Sequence, residues 1–173
     1  MARPPPPSRE IDPLDAARTQ DGMSLRALSR LSATVVVCLP ALGRPLTRRL
    51  LADLARRRRA LEESGRRVAL VHMGADEEAA CELARFDLQY VARVADPERR
   101  LYAALGLGAL RRPAPGSWTP ALLARLRHGA GPARGDRRQA HGAFLLAAGA
   151  VARAARCARP AALPDYAALT ASP

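Results

Sequence analysis

The hydrophobic positions of this chain follow two alternating patterns. Short, nearly continuous apolar runs rich in valine and leucine are typical of strands that are covered on both faces. Segments in which apolar residues recur every three or four positions predict helices. The patterns predict strands at residues 34–39, 68–73 and 90–95, helices at 45–64, 76–86 and from 96 to Gly106, a hairpin with strands at 142–146 and 150–154, and a last helix at 164–169.

This order of elements indicates an α/β fold. Strand and helix alternate three times, and parallel neighbours joined in this way need right-handed crossover connections. Ala148-Gly149 then forms the turn of a hairpin, so the sheet ends with antiparallel strands. We therefore expect a central mixed sheet with helices on both faces and a C-terminal β-hairpin.

Two segments interrupt this pattern. Residues 1–20 are proline-rich and polar, and we expect a disordered arm that does not dock on the domain at 21–170. Residues 107–138 are rich in glycine, proline and arginine, and we interpret them as an insertion that holds one helix at 119–127.

The net charge of the chain favours a nucleic-acid partner, but other features of its composition disfavour one. The 173 residues suit one domain, and 28 basic against 16 acidic residues give a net charge of +12. All the basic residues are arginine, which indicates a general composition bias, and only 3% of the residues are aromatic. Base stacking needs aromatic faces, so nucleic acid is a disfavoured partner.

The cysteines and histidines form no recognisable metal or disulfide pattern. Cys38, Cys81 and Cys157 are widely separated, and the three histidines share no carboxylate spacing. We expect no metal, no cofactor and a reducing cytoplasm as the compartment. The first residues carry no export signal and the apolar runs are too short to cross a membrane, so we expect no membrane partner.

Several segments, in order, resemble one family. They are DGMSL at 21–25, VVVCLPALGRPLTRRLLADL at 35–54, VALVHMG at 68–74, VADPERRLYAALGLG at 94–108, GDRRQAHGAFLL at 135–146 and PDYAAL at 164–169. Together they are similar to the peroxiredoxin-like proteins of the alkyl hydroperoxide reductase/thiol-specific antioxidant group. The resemblance covers roughly residues 20–170 and implies a thioredoxin-like fold.

The resemblance also implies where the redox centre would lie, and there the sequence departs from the family. The family presents Gly-Cys-x-x-Cys at the start of the first long helix, where the helix dipole stabilises a thiolate. Here Arg44 and Thr47 stand at the two cysteine positions after Gly43. His141 stands where the family has a proline facing the redox centre, and we expect a trans peptide bond before it.

Two other candidate sites remain. Cys38, in the first strand, is a fallback redox thiol, although a buried hydrophobic role is favoured for it. Arg44 and Arg48 lie one turn apart at a helix start and are candidates for an anion-binding site, against the alternative that both point into solvent.

The favoured hypothesis is a non-catalytic binding or regulatory module, whose partner is a protein or a small anionic ligand. The alternatives are a thiol-dependent antioxidant oxidoreductase that uses Cys38 and an arginine-rich nucleic-acid-binding protein.

Overall fold

Five strands form one mixed sheet in the order β3-β2-β1-β4-β5. The computed structural model describes residues 11–110, 135–136, 138–159 and 161–171. The elements are α1 (Pro13–Ala16), α2 (Leu25–Leu31), β1 (Thr34–Cys38), α3 (Pro45–Glu63), β2 (Arg67–His72), α4 (Asp76–Ala84), β3 (Ala92–Ala95), α5 (Arg100–Ala104), β4 (Gly142–Ala147), β5 (Ala150–Arg156) and α6 (Tyr166–Thr170).

The sheet has the predicted mixture of directions. Strand β1 pairs in parallel with β2, and β2 pairs in parallel with β3. Strand β4 is antiparallel to β1 and to β5, and Ala148 and Gly149 both take positive φ angles in the hairpin turn. The prediction of an α/β fold with a mixed central sheet and a C-terminal hairpin is confirmed.

Helices cover both faces of this sheet. Val36 and Cys38 point into one apolar cluster with residues of α2 and α5, such as Leu28. Val35 and Val37 point into a second cluster with residues of α3, α4 and α6. Because every residue of β1 is buried, its sequence has no polar alternation, which explains the continuous apolar run.

The third predicted helix starts later than the sequence indicates. Helix α5 begins at Arg100, and Arg99 before it takes a left-handed conformation with φ 59°. The Asp96 carboxylate accepts hydrogen bonds from the backbone N–H groups of Arg100, Leu101 and Tyr102 at 2.9–3.2 Å. Asp96 therefore caps the helix from four residues upstream, across a turn that contains Pro97 and Glu98.

The ends of the predicted insertion lie side by side. Ala109 bridges to Gln139, and the backbone N–H of Leu110 donates to the Arg138 carbonyl at 2.6 Å. The helix predicted at 119–127 falls outside the described residues, so the insertion stays a prediction. No helix in the part of the chain that the structure describes is long and apolar enough to cross a membrane.

The expectation of an undocked arm over residues 1–20 is wrong for residues 11–20. Asp12 accepts a hydrogen bond from the Leu14 N–H at 2.9 Å and so begins α1, with Pro13 in the first turn. Leu14 and Ala17 are buried in the first apolar cluster, and Thr19 bridges to Val94 of β3. Residues 1–10 lie outside the described residues.

Truncating Leu14 tests this docking. We expect Leu14→Ala to lower the free energy of unfolding by about 2 kcal/mol, because the leucine is only 9% exposed and its loss leaves a cavity. Ile11→Ala is the matched control, since Ile11 is 71% exposed and should change stability by less than about 0.5 kcal/mol. Urea unfolding measures both, and equal effects would mean that the arm does not pack on the domain.

Candidate functional site

The candidate site lies where β1 leads into α3. Residues 39–43 continue from the strand as a buried loop, and Gly43 takes a positive φ of 75°. Arg44 then occupies the N-cap position of α3 without a side-chain capping hydrogen bond, and Pro45 fills the first turn. The sequence prediction placed this helix start correctly, and the N–H groups of a first helical turn, which lack partners within the helix, carry a partial positive charge.

Thr47 belongs to the interior of this helix start. Its side chain is fully buried, and its hydroxyl donates a hydrogen bond to the Ala41 carbonyl at 2.6 Å. The hydroxyl therefore ties the loop to the first turn of α3, and its proton is already directed at a protein acceptor.

Arg48 faces a carboxylate from α4. Its Nε lies 2.7 Å from Glu82 Oε1 and its Nη2 lies 3.4 Å from Glu82 Oε2. The two side chains are only 11% and 10% exposed, so water screens this pair weakly. The anion site predicted for Arg44 and Arg48 stays a prediction, and a ligand that used Arg48 would compete with Glu82.

Breaking this buried pair should be costly. We expect Glu82→Gln to lower the free energy of unfolding by about 2–3 kcal/mol, since it removes the carboxylate charge that pairs with the largely buried Arg48 guanidinium. Glu63→Gln is the matched control: its pair with Arg59 is exposed and should contribute less than about 1 kcal/mol. Chemical denaturation at neutral pH measures the free energy of unfolding of both variants. If Glu82→Gln costs no more than Glu63→Gln, the Arg48–Glu82 pair does not stabilise the fold.

His141 is brought to the same end of the sheet by the start of β4. The peptide bond before it is trans, as predicted, and its ring is fully buried. Its Nε2 lies 2.8 Å from the Ala162 carbonyl, so Nε2 donates, while Nδ1 has no partner among the described residues. Burial lowers the pKa of His141, and the nearby charge of Arg44 lowers it further despite the opposing effect of the Ala162 hydrogen bond.

Cys38, the fallback thiol, has no contact with solvent. It is fully buried in β1 opposite Gly142, and burial together with the negative charge of Asp96 raises its pKa strongly. Cys157 is 6% exposed, and burial raises its pKa to about 11. Cys81 is exposed on α4, and all three thiols are free. Cys38 and Cys157 are thus held as neutral thiols, which are poor nucleophiles.

One histidine cluster was missed by the sequence analysis. His72 ends β2 with its ring fully buried, and its Nδ1 lies 3.1 Å from the Gly74 carbonyl. Its Nε2 lies 3.7 Å from Asp76 Oδ1, and Asp76 accepts two hydrogen bonds from Arg93 at 2.8 and 2.7 Å. Burial lowers the pKa of His72, with Asp76 opposing the shift. The available signal was an acid four residues after a histidine, where a strand ends and a helix begins.

These groups do not make a metal site. Within the described ranges, no set of three or more histidine, cysteine, aspartate or glutamate side chains is grouped so that it could hold a metal ion. The chemistry available at the start of α3 is hydrogen bonding and charge interaction through Arg44, Thr47, Arg48 and His141.

The two buried histidines predict a pH dependence of stability. A histidine whose folded pKa lies below its ordinary 6.5 is protonated more readily when unfolded, so its stabilisation is complete above 6.5 and is lost as the pH falls towards the folded pKa. We expect stability to fall between pH 7 and 5 by up to about 1.4 kcal/mol per pH unit for each histidine.

Substituting both histidines tests whether they cause this pH dependence of stability. Gln can keep the Nε2 donor of His141 and Asn the Nδ1 donor of His72, and neither titrates, so the doubly substituted His72→Asn/His141→Gln protein should lose stability less steeply than wild type. The pKa of Asp76 is lowered, chiefly by its hydrogen bond to Arg93, so it stays charged throughout this window. Urea midpoints at each pH measure the slopes, and identical slopes would contradict the assignment.

Comparison with known proteins shows a likeness at the level of fold. The sequence matches no protein-family model and no curated protein. The bacterioferritin comigratory protein of Xanthomonas campestris, described for alkyl peroxide reduction activity, is 15% identical with a TM-score of 0.56, over 81% of this chain and 78% of that chain. Peroxiredoxin 6 of Arenicola marina is 12% identical with a TM-score of 0.59, over 88% of this chain and 64% of that chain.

A third structure gives the same result. Reduced Prx3 of Vibrio vulnificus, solved in complex with hydrogen peroxide, is 15% identical with a TM-score of 0.55, over 79% of this chain and 76% of that chain. At these identities the comparison establishes the fold, which is the thioredoxin-like fold of the peroxiredoxins. The resemblance found in the sequence is confirmed at that level.

Proposed function

We propose that this protein is a non-catalytic binding or regulatory module built on the peroxiredoxin-like thioredoxin fold. One observation carries the proposal: at the start of α3, the two positions that the family resemblance assigns to redox cysteines are Arg44 and Thr47, and the Thr47 hydroxyl is buried against the Ala41 carbonyl.

The chemistry of these two side chains supports the proposal. A helix N-terminus lowers the pKa of a thiol enough to give a nucleophilic thiolate, but a threonine hydroxyl stays protonated near neutral pH. The Thr47 proton is directed at the Ala41 backbone carbonyl, which is not a basic group. Arginine has no nucleophilic atom at neutral pH. The helix start can bind and orient a partner, but its own side chains cannot reduce a peroxide.

The first alternative is a thiol-dependent antioxidant that uses Cys38. It requires a buried thiol with a raised pKa to meet a peroxide, so β1 would have to open from the middle of the sheet. The second alternative is a nucleic-acid-binding protein. The arginine run at 56–59 offers little support for it, because all four side chains lie beside acids of their own helix, namely Asp53, Glu62 and Glu63.

The partner class follows from the same features. We infer a protein or a small anionic ligand, since Arg44 lies at the N-terminus of α3, where the first turn presents backbone donors; a ligand that also used Arg48 would compete with Glu82. Three free cysteines fit a reducing cytoplasm.

A peroxidase assay tests the proposal. We expect the reduced wild type to consume hydrogen peroxide and an organic hydroperoxide no faster than Cys38→Ser, because neither protein has a reactive thiol at the start of α3. Cys81→Ser is the matched control, since it removes the exposed thiol and leaves the core unchanged. Catalytic turnover that Cys38→Ser abolishes and Cys81→Ser retains would overturn the proposal in favour of the antioxidant alternative.

A further inference from the structure

A cavity of about 550 Å³ lies at the amino ends of the parallel strands. The start of α3 lies at the other end of these strands, after the carboxyl end of β1. The turn at 19–23 forms one side of it and the end of α3, at 62–66, forms another. The buried side chains of Leu28, Val68 and Val91 contribute its apolar lining. Its volume lies within the range of small-molecule sites in proteins.

Hydrogen bonds hold the two sides of this cavity in place. The Gln20 N–H donates to the Arg93 carbonyl at 3.1 Å, and the Arg93 N–H donates to Gln20 Oε1 at 2.8 Å. On the other side, the Ser32 hydroxyl donates to the Gly65 carbonyl at 2.7 Å. A ligand would therefore enter a preformed site and would not have to order the chain around it.

Two large side chains at this cavity are left in contact with solvent. Tyr90 is 83% exposed and Met23 is 38% exposed, in a chain that holds three tyrosines, two phenylalanines and one tryptophan in all. Tyr166 and Tyr102, by contrast, are buried. An aromatic ring and a thioether together form a surface that favours contact with a flat apolar group.

Arg67 supplies the charge at this cavity. It begins β2, is exposed, and within the described residues its guanidinium has neither a hydrogen bond nor an ion pair. The neighbouring Arg66 is already engaged, because it donates to the Ser64 hydroxyl at 2.7 Å and to the Thr170 carbonyl at 2.9 Å. An unengaged guanidinium can form two parallel hydrogen bonds with a carboxylate.

The acidic groups around the cavity do not satisfy Arg67. Glu62 also lines it, but its Oε1 lies 3.7 Å from Arg58 Nε, and Asp21 makes no ion pair with Arg67. The Arg67 guanidinium is thus available to an external anion.

We propose that this cavity binds a small organic carboxylate that carries a planar apolar group. The carboxylate pairs with Arg67, and the planar group lies against Tyr90 and Met23. This site is independent of the start of α3 and does not rest on the function proposed above. The guanidinium selects for the charge, and the ring and thioether select for the apolar group, so neither part alone should bind well.

Binding of 2-naphthoate to the full chain tests the proposal. Two-dimensional NMR would follow the backbone amides of Gly65 and Val91, which line the cavity, during a titration up to about 10 mM, a range that covers dissociation constants of about 1 mM. We expect saturable shifts at these amides. Arg67→Gln and Tyr90→Ala should each weaken binding by about tenfold, and Arg59→Gln, which removes an exposed charge elsewhere, should leave it unchanged.

Two further ligands separate the contribution of the carboxylate from that of the planar apolar group. Acetate, which lacks the ring, should produce no saturable shift, and neutral 2-naphthalenemethanol should bind wild type about as weakly as 2-naphthoate binds Arg67→Gln. All substituted residues are exposed, and equal melting temperatures confirm that the variants are folded. The proposal is overturned if 2-naphthoate gives no saturable shift or shifts only amides away from the cavity. It is also overturned if Arg67→Gln or Tyr90→Ala leaves the affinity for 2-naphthoate unchanged.

Discussion

The position of β1 is the constraint on which the rest of the molecule depends. This strand is buried on both faces and paired on both edges, with Val36 opposite Ala69 of β2 and Phe144 of β4. The Tyr102 hydroxyl lies 2.6 Å from the Leu39 carbonyl and 3.0 Å from that of Val71, so α5 also fixes the point where β1 ends. The loop into α3 therefore leaves the sheet from a place that cannot shift without disturbing both apolar clusters.

Beyond that point, the polar groups around the start of α3 are used to hold the structure together. Thr47 bonds to the loop before it, Arg48 pairs with α4, and His141 bonds to the segment before α6. Each contact joins the helix start or its surroundings to a different part of the chain. On the proposed function, the end of the sheet where the family resemblance places a redox centre stabilises the domain and binds a partner.

The sequence predicted the elements that have a local periodic signal and missed what depends on distant contacts. The order of strands and helices followed from apolar spacing, because the residues of each element define the face that it buries. The docking of residues 11–20 was missed because Leu14 alone cannot make a periodic pattern, even though Asp12-Pro13 begins a helix. The Arg48–Glu82 pair joins two helices, and no rule of spacing predicts it. Burial of Thr47 and His141 likewise depends on how α3 meets the hairpin.

The central place of β1 also affects how the chain acquires its structure during synthesis. Its first partner, β2, follows directly after α3, but Thr34 finds its second partner at Leu146 of β4, after β2 and β3 in the sequence. A nascent protein emerging from the ribosome therefore carries β1 with one edge unpaired until the hairpin has been made, and an unpaired apolar strand edge invites association with other chains. The strand that closes the second edge of β1 is therefore translated only after β2 and β3.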